Sequence, residues 1–267
     1  MKRPLVRHMS GESHVSLQKI VTQLYVPAEK DTVRNFLKTE GYKYTFPKKQ
    51  PSLKDANQKR RAEWSKNVLE QITAGQINIE NITFTDEKRF LLDGPDGCRK
   101  YWQLEGEEKR WFGKKVFSPG VMVWAGIGSR GTTTIHFCEK NVDSQYYQRI
   151  LNENYLPFHQ QGFILMQDNA TPHTSQSTLK FLEDKNIDVL EWAPHSPDCN
   201  PIEHLWAIIV RRIYEGGKEY RTIEDLKNAI KRVWEDLEIE LIQKLVRSFP
   251  KRRIQVVANR GGPTRTY

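Results

Sequence analysis

Two strand-length apolar runs, eighty residues apart, each stop on an aspartate. Residues 79–85 (IENITFT) run into Asp86, and residues 163–167 (FILMQ) run into Asp168. A short apolar run between turn signals reads as a strand buried in a sheet. Around these two the pattern alternates. Residues 89–93 and 99–104 flank Gly94-Pro95-Asp96-Gly97 as a hairpin, with Asp93 and Asp96 in its turn. Residues 120–127 and 132–138 are two more strands across the Gly128–Gly131 turn. Helical spacing then marks 144–160, 175–186, 202–214, 222–236 and 238–248, with a strand at 187–192. Strands first, then alternating strands and helices, specify a mixed α/β domain.

The chain before residue 79 reads differently. Residues 15–25 and 28–39 are two amphipathic helices joined at Val26-Pro27. The second carries Lys30, Arg34 and Lys38, the pattern of a helix-turn-helix. Residues 43–61 are basic and proline-interrupted, with Lys48, Lys49, Arg60 and Arg61 disposed to lie along DNA, and residues 58–74 resume a helix. Residues 1–66 hold 15 Lys/Arg against 6 Asp/Glu, whereas the remaining 201 hold 27 of each. All the net charge of +9 is thus in the first quarter. Residues 250–267 add five Lys/Arg and no acid, a second basic segment. Basic ends on a neutral body suit a polyanion partner, because each cation that meets a phosphate releases counterions; a solvated face is the bland alternative. Lys48-Lys49 with Lys59-Arg60-Arg61 also has the form of a two-part nuclear import signal.

Other classes find no support. No run of about 18 apolar residues is present, so no membrane span is expected. MKRPLVRHMS has no apolar stretch of signal-peptide length. Cys98, Cys138 and Cys199 are far apart and form no CxxC, so the expectation is a reducing, intracellular protein without a cysteine zinc site. Neither a phosphate-cradling P-loop nor G-x-S-x-G occurs.

A third acid completes a pattern. Glu203 lies one turn into a helix, behind the proline-rich loop WAPHSPDCNP. Two Asp at strand ends and a Glu from a helix can hold hard divalent cations such as Mg²⁺ through carboxylate oxygens. Two such ions activate a water or a sugar 3′-hydroxyl and stabilise the oxygen that leaves a phosphodiester. An isolated Asp at a strand end is as often a turn former. His173 and His195 flank these acids and could contact a scissile phosphate. Asp198 suits turn capping, and Glu87 should point away from the side Asp86 faces.

The segments FTDEKRF, GVMVWAGI, MQDNATPHTS and SPDCNPIEHLW resemble those of the Tc/mariner superfamily of transposases over about residues 10–250. Asp168 and Glu203 have 34 residues between them, the spacing of the branch whose third acid is Glu. The resemblance implies a ribonuclease-H-like domain at 79–250, a mixed five-stranded sheet flanked by helices. It implies a catalytic, metal-binding triad of Asp86, Asp168 and Glu203 served by Mg²⁺ or Mn²⁺, with two ions expected. It implies a helix-turn-helix at 1–46 that reads terminal inverted repeats, a basic linker and helix at 47–78, and a basic tail at 251–267. The partners expected are double-stranded DNA, both transposon ends and target, and a second copy of the chain; the location expected is the nucleus. Members usually carry two helix-turn-helix units, and only one fits here, its first helix shortened. A co-opted relative that binds DNA without transposing is the second reading.

Overall fold

The computed structural model describes residues 30–39, 53–94, 119–215 and 218–264. The helix expected at 15–25, the strand at 99–104, and Lys48 and Lys49 lie outside them. By contacts the chain divides into Met1–Pro51 and Ser52–Tyr267. In the first unit, helix α1 spans Lys30–Thr39, with Arg34 and Lys38 exposed and Arg34 ion-paired to Asp31.

The second unit opens with α2, Asp55–Thr73. Arg61, Trp64, Ser65 and Val68 fall one above another on its buried stripe, while Lys59 and Arg60 stay exposed. Strand β1 (Ile82–Leu91) pairs antiparallel with β2 (Gly120–Gly128) on one side and parallel with β5 (Ile164–Met166) on the other. The segment 132–138 splits into β3 (Gly131–Thr132) and β4 (His136–Cys138), both paired with β2. The break falls at Thr133, whose N–H and side-chain hydroxyl both bond the backbone of Gly126 and so end the ladder. With β6 (Asp188–Val189) on β5, the sheet has six strands in the order β3-β2-β1-β5-β6, β4 lying off that path.

Helix α3, Ser144–Ile150, is capped by Asp143 and runs into a wide turn at Leu151–Tyr155, where the sequence pattern reads as one longer helix. Next come α4 (Gln176–Asp184) and α5 (Pro201–Ile213). The last three are α6 (Ile223–Glu235), α7 (Ile239–Arg247) and α8 (Phe249–Ala258). The larger core joins β1 and β2 to α5, where Trp206 stacks on Trp234 of α6 with centroids 5.7 Å apart. Among the described residues no helix is long and apolar enough to cross a membrane.

Residues 251–258, expected in a basic tail, are most of α8, which packs along α2. Arg252 and Arg253 are buried in it. Spacing explains the difference: Phe249, Arg253 and Val256 form one helical stripe, and charge counting does not see which face a cation takes. Three residues past the helix, the turn closes at Gly261 (φ +85°), whose N–H bonds Val256 O at 2.8 Å. A Cβ there would meet the backbone oxygen of Gln58 in α2 at 1.8 Å. Gly261→Ala is expected to cost about 3 kcal/mol through overpacking and a left-handed φ, measurable by urea unfolding.

Candidate active site

Register brings the first two acids together. Phe84 of β1 pairs with Met166 of β5 in parallel. Two residues on, Asp86 is not the strand's end that its apolar run suggests, since β1 continues to Leu91, whereas β5 stops at Met166 and Asp168 stands just past it; both acids face one cavity. The third acid arrives through a tied loop. Asn200 caps α5, accepting from Ile202 N, while its amide donates to Thr85 O at 3.1 Å. Pro201 fills the first helical position, where an N–H has no partner anyway. Glu203 follows in the first turn, where the helix dipole favours a carboxylate. Asp86, Asp168, Glu203, Asn169, His195 and Asn200 share the lining of a cavity of about 410 Å³. Among the described residues no three His, Cys, Asp or Glu are already gathered closely enough to hold a metal ion.

Each of the two aspartates has a dedicated donor. Trp206, one turn after Glu203, donates its indole N–H to Asp86 Oδ2 at 3.0 Å. Asp168 Oδ1 accepts from His173 Nδ1 at 2.7 Å and from Ala170 N at 2.9 Å. The same His173 turns Nε2 toward Glu87 Oε1 at 3.3 Å, an ion-pair distance without hydrogen-bond alignment. Its ring lies on Tyr147, 4.0 Å between centroids. Tyr147 in turn donates to Gln167, whose amide bonds the His173 carbonyl at 3.1 Å.

The electrostatics follow from this packing. Burial, and then the charges of Glu203 and Glu87, push the Asp86 carboxyl well above its usual range. Glu203 is also raised by burial, with Asp168 adding to the shift and Lys88 opposing it. Burial works against ionisation of Asp168 too, but the bonds from His173 and Ala170 outweigh it and hold its pKa down. Burial opposes charge on His173, yet Asp168 and Glu87 together raise it to about 9. The result is an acidic cluster with one internal cation and an excess of negative charge, on oxygen donors suited to a hard cation.

Some expected contacts change. His173 is buried between two carboxylates and is not offered to a phosphate. Arg61 is likewise inside the fold, forked onto Asp198 at 2.8 and 2.9 Å. Asp198 therefore closes an ion pair rather than capping a turn. Cys199 is a buried core residue. Glu87 does face away from Asp86, lining a different cavity, but His173 links it back to Asp168. Nothing in the spacing of Glu87 and His173 signals that link. Trp206 reads in sequence as a core residue, which it is; its bond to Asp86 was legible only as a position three residues after Glu203.

Comparison with known proteins decides the family. A family model described as a DDE superfamily endonuclease matches residues 81–227, and one described as a transposase matches residues 2–70. The Tc3 transposase of Caenorhabditis elegans is 34% identical over 98% of this chain and 79% of its own length. The chain belongs to the Tc1/mariner transposase family. The Tc1 transposase of the same nematode is 28% identical over the whole of both chains. Among solved structures, a pre-cleavage Mos1 transpososome has a TM-score of 0.83 at 19% identity, covering 98% of this chain and 79% of that one. A Mos1 paired-end complex with Mg has a TM-score of 0.84 at 20% identity, covering 97% and 78%. At that identity the likeness speaks to fold alone: a mixed sheet flanked by helices, in a DDE endonuclease domain behind a helix-turn-helix segment.

Proposed function

We propose that this transposase cuts DNA at transposon ends and joins the freed 3′-hydroxyls to target DNA, using divalent metal held by Asp86, Asp168 and Glu203. One observation carries the reading: three carboxylates line one cavity, and two of them are pushed toward protonation by burial and by acidic neighbours. Such a cluster is balanced by cations. Mg²⁺ or Mn²⁺ fits the all-oxygen donor set of Asp86, Asp168 and Glu203, which would hold one ion or two. Bound there, the metal would supply Lewis acidity to the attacking and leaving oxygens of an in-line displacement. The chain's own residues do the rest. Trp206 fixes the Asp86 rotamer, His173 fixes Asp168, and the Asn200 cap aims Glu203. Mos1 paired-end complexes are known with Mn, with Mg and with the left transposon end, which supports the same ions and transposon-end DNA for this chain.

DNA contacts are assigned to Lys30, Arg34 and Lys38 of α1 and to Lys48, Lys49 and Arg60, with two copies of the chain pairing the ends. A nuclear location rests on Lys48, Lys49, Lys59 and Arg60, since Arg61 is withdrawn into the fold. The test is incubation of the purified chain with a duplex bearing its own element's inverted repeats. Nicking at the repeat boundary that appears with Mn²⁺ and vanishes with chelator is expected. Metal-independent nicking, or none at any Mn²⁺ concentration, would overturn the reading.

Partners that orient a metal ligand are typically worth 10–100-fold in affinity or activity. His173→Ala is accordingly expected to weaken Mn²⁺ binding roughly tenfold or more, by releasing Asp168. Titration of Mn²⁺ by electron paramagnetic resonance checks it, with Glu87→Gln expected to have the smaller effect.

A further inference from the structure

The loop that presents Glu203 is gripped from behind, most heavily at Asp198. Asp198 sits on the turn Pro197–Cys199, outside the lining of the carboxylate cavity. Its Oδ1 and Oδ2 accept the fork of Arg61 from α2 at 2.9 and 2.8 Å. Its Oδ2 also accepts the backbone N–H of Thr264 at 2.8 Å, and its carbonyl accepts Arg252 Nη1 of α8 at 3.0 Å. Arg61 reaches further: Nε donates to Gly261 O at 3.0 Å and Nη1 to His195 O. His195 holds a left-handed backbone (φ +55°), costly for a residue with a Cβ and kept only where surroundings enforce it. Segments 137 residues before and 54–66 residues after the loop therefore converge on it.

Two residues past Asp198, Asn200 ties the loop to Thr85 O, the residue before Asp86. Three past that is Glu203. The chain from Asp198 to Glu203 is thus short, fixed at both ends, and without slack.

We propose that Asp198 is a positioning residue: the node it forms with Arg61, Arg252 and Thr264 sets where Glu203 stands relative to Asp86. The ion pair does more than stabilise the fold. A free loop could relax the repulsion between Glu203 and Asp86 by moving Glu203 outward; the node forbids that and keeps the site closed enough for metal. This rests on Glu203 being a metal ligand.

The test compares Asp198→Asn with a chain ended after Gly262, which removes only Thr264 among the node's partners, and with Ile230→Ala as a control. Ile230 is buried in α6 outside the cavity lining and makes none of the node's hydrogen bonds, so its truncation loses core packing only. Mn²⁺ affinity is measured by electron paramagnetic resonance on folded protein, alongside kcat and KM for nicking. The expected result is Mn²⁺ binding weakened about tenfold in Asp198→Asn, the size of loss outer partners of metal ligands give. A smaller loss in the shortened chain, none in the control, and a fall in kcat with KM for DNA unchanged are expected with it. Unchanged Mn²⁺ affinity in both node variants while their melting temperatures fall would overturn the proposal and leave the node structural. Should Asp198→Asn not fold, the shortened chain decides alone. Failure of the unsubstituted protein to bind Mn²⁺ would instead overturn the metal reading of the triad.

Discussion

Asp86→Asn is expected to abolish nicking and, in the absence of metal, to make the protein more stable. The loss of activity should be on the order of 10³-fold, the scale for removing one preorganised charge contact from a transition state. Stability should rise because Asp86 ionises against burial, Glu203 and Glu87. The asparagine oxygen still accepts the Trp206 indole N–H, so the substitution removes charge and little packing. The pH dependence follows the same sign. Asp86 and Glu203 have folded values above their ordinary 3.8 and 4.5, so their contribution is fully present below those values and lost as pH rises through the folded ones. His173 acts in the same direction at higher pH, contributing below 6.5 and losing that as pH passes about 9. Asp168, held below its ordinary value, loses its contribution only in acid. Melts of the metal-free protein should therefore fall from pH 5 to pH 9, with Asp86→Asn flattening the curve. Mn²⁺ at about a hundred times its Kd should stabilise the unsubstituted protein by about 2.7 kcal/mol and leave Asp86→Asn unmoved. A metal-free melt of Asp86→Asn below that of the parent would sink the argument that these carboxylates repel one another.

Two buried arginines should respond to the same substitution to very different extents. Arg61→Met leaves Asp198 a buried carboxylate without its cation, and losing one partner of a buried pair costs about 3–5 kcal/mol. Among the described residues Arg253 has no such partner. Its guanidinium is fully buried, with centroids of Trp64, Phe249 and Trp192 at 3.6, 4.2 and 4.6 Å. None of its three nitrogens has a hydrogen-bond partner, and burial lowers its pKa to about 9. The cation–π contacts offset part of that desolvation, on the order of 2 kcal/mol. Arg253→Met keeps a long apolar side chain among the rings and removes the buried charge. It should stay within about 1 kcal/mol of the parent, because a well-packed apolar replacement for a buried charge is often neutral or stabilising. Guanidinium unfolding of both variants gives the comparison. Equal losses would mean the rings hold Arg253 as firmly as Asp198 holds Arg61.

These two arginines also mark where sequence reading stops. Arg61 and Arg253 look alike in a charge count, and both lie in segments whose basicity suggests DNA. Each occupies the buried position of a helical stripe, Arg61 beside Trp64 and Val68, Arg253 beside Phe249 and Val256. The stripe was legible; that a cation would fill it was not, because its compensation comes from residues far away in the chain. His173 is the same case at the site. Its place five residues after Asp168 is visible in sequence, but Glu87 reaches it from another strand.

The amino-acid sequence determined the two apolar runs that lead to Asp86 and Asp168, the loop and cap that deliver Glu203, and the order of elements that makes the sheet mixed. Those are local matters of period, turn residues and capping, and they survive without knowledge of neighbours. That β1 would run on through Asp86 to Leu91 was not legible, because its partner β2 supplies the continued pairing. Tertiary structure alone decided which charges are inside. It turned Arg61 and His173 from DNA-facing cations into buried partners of Asp198 and Asp168. A charge is buried only where an opposite charge or a ring meets it, and that meeting depends on segments up to 137 residues apart.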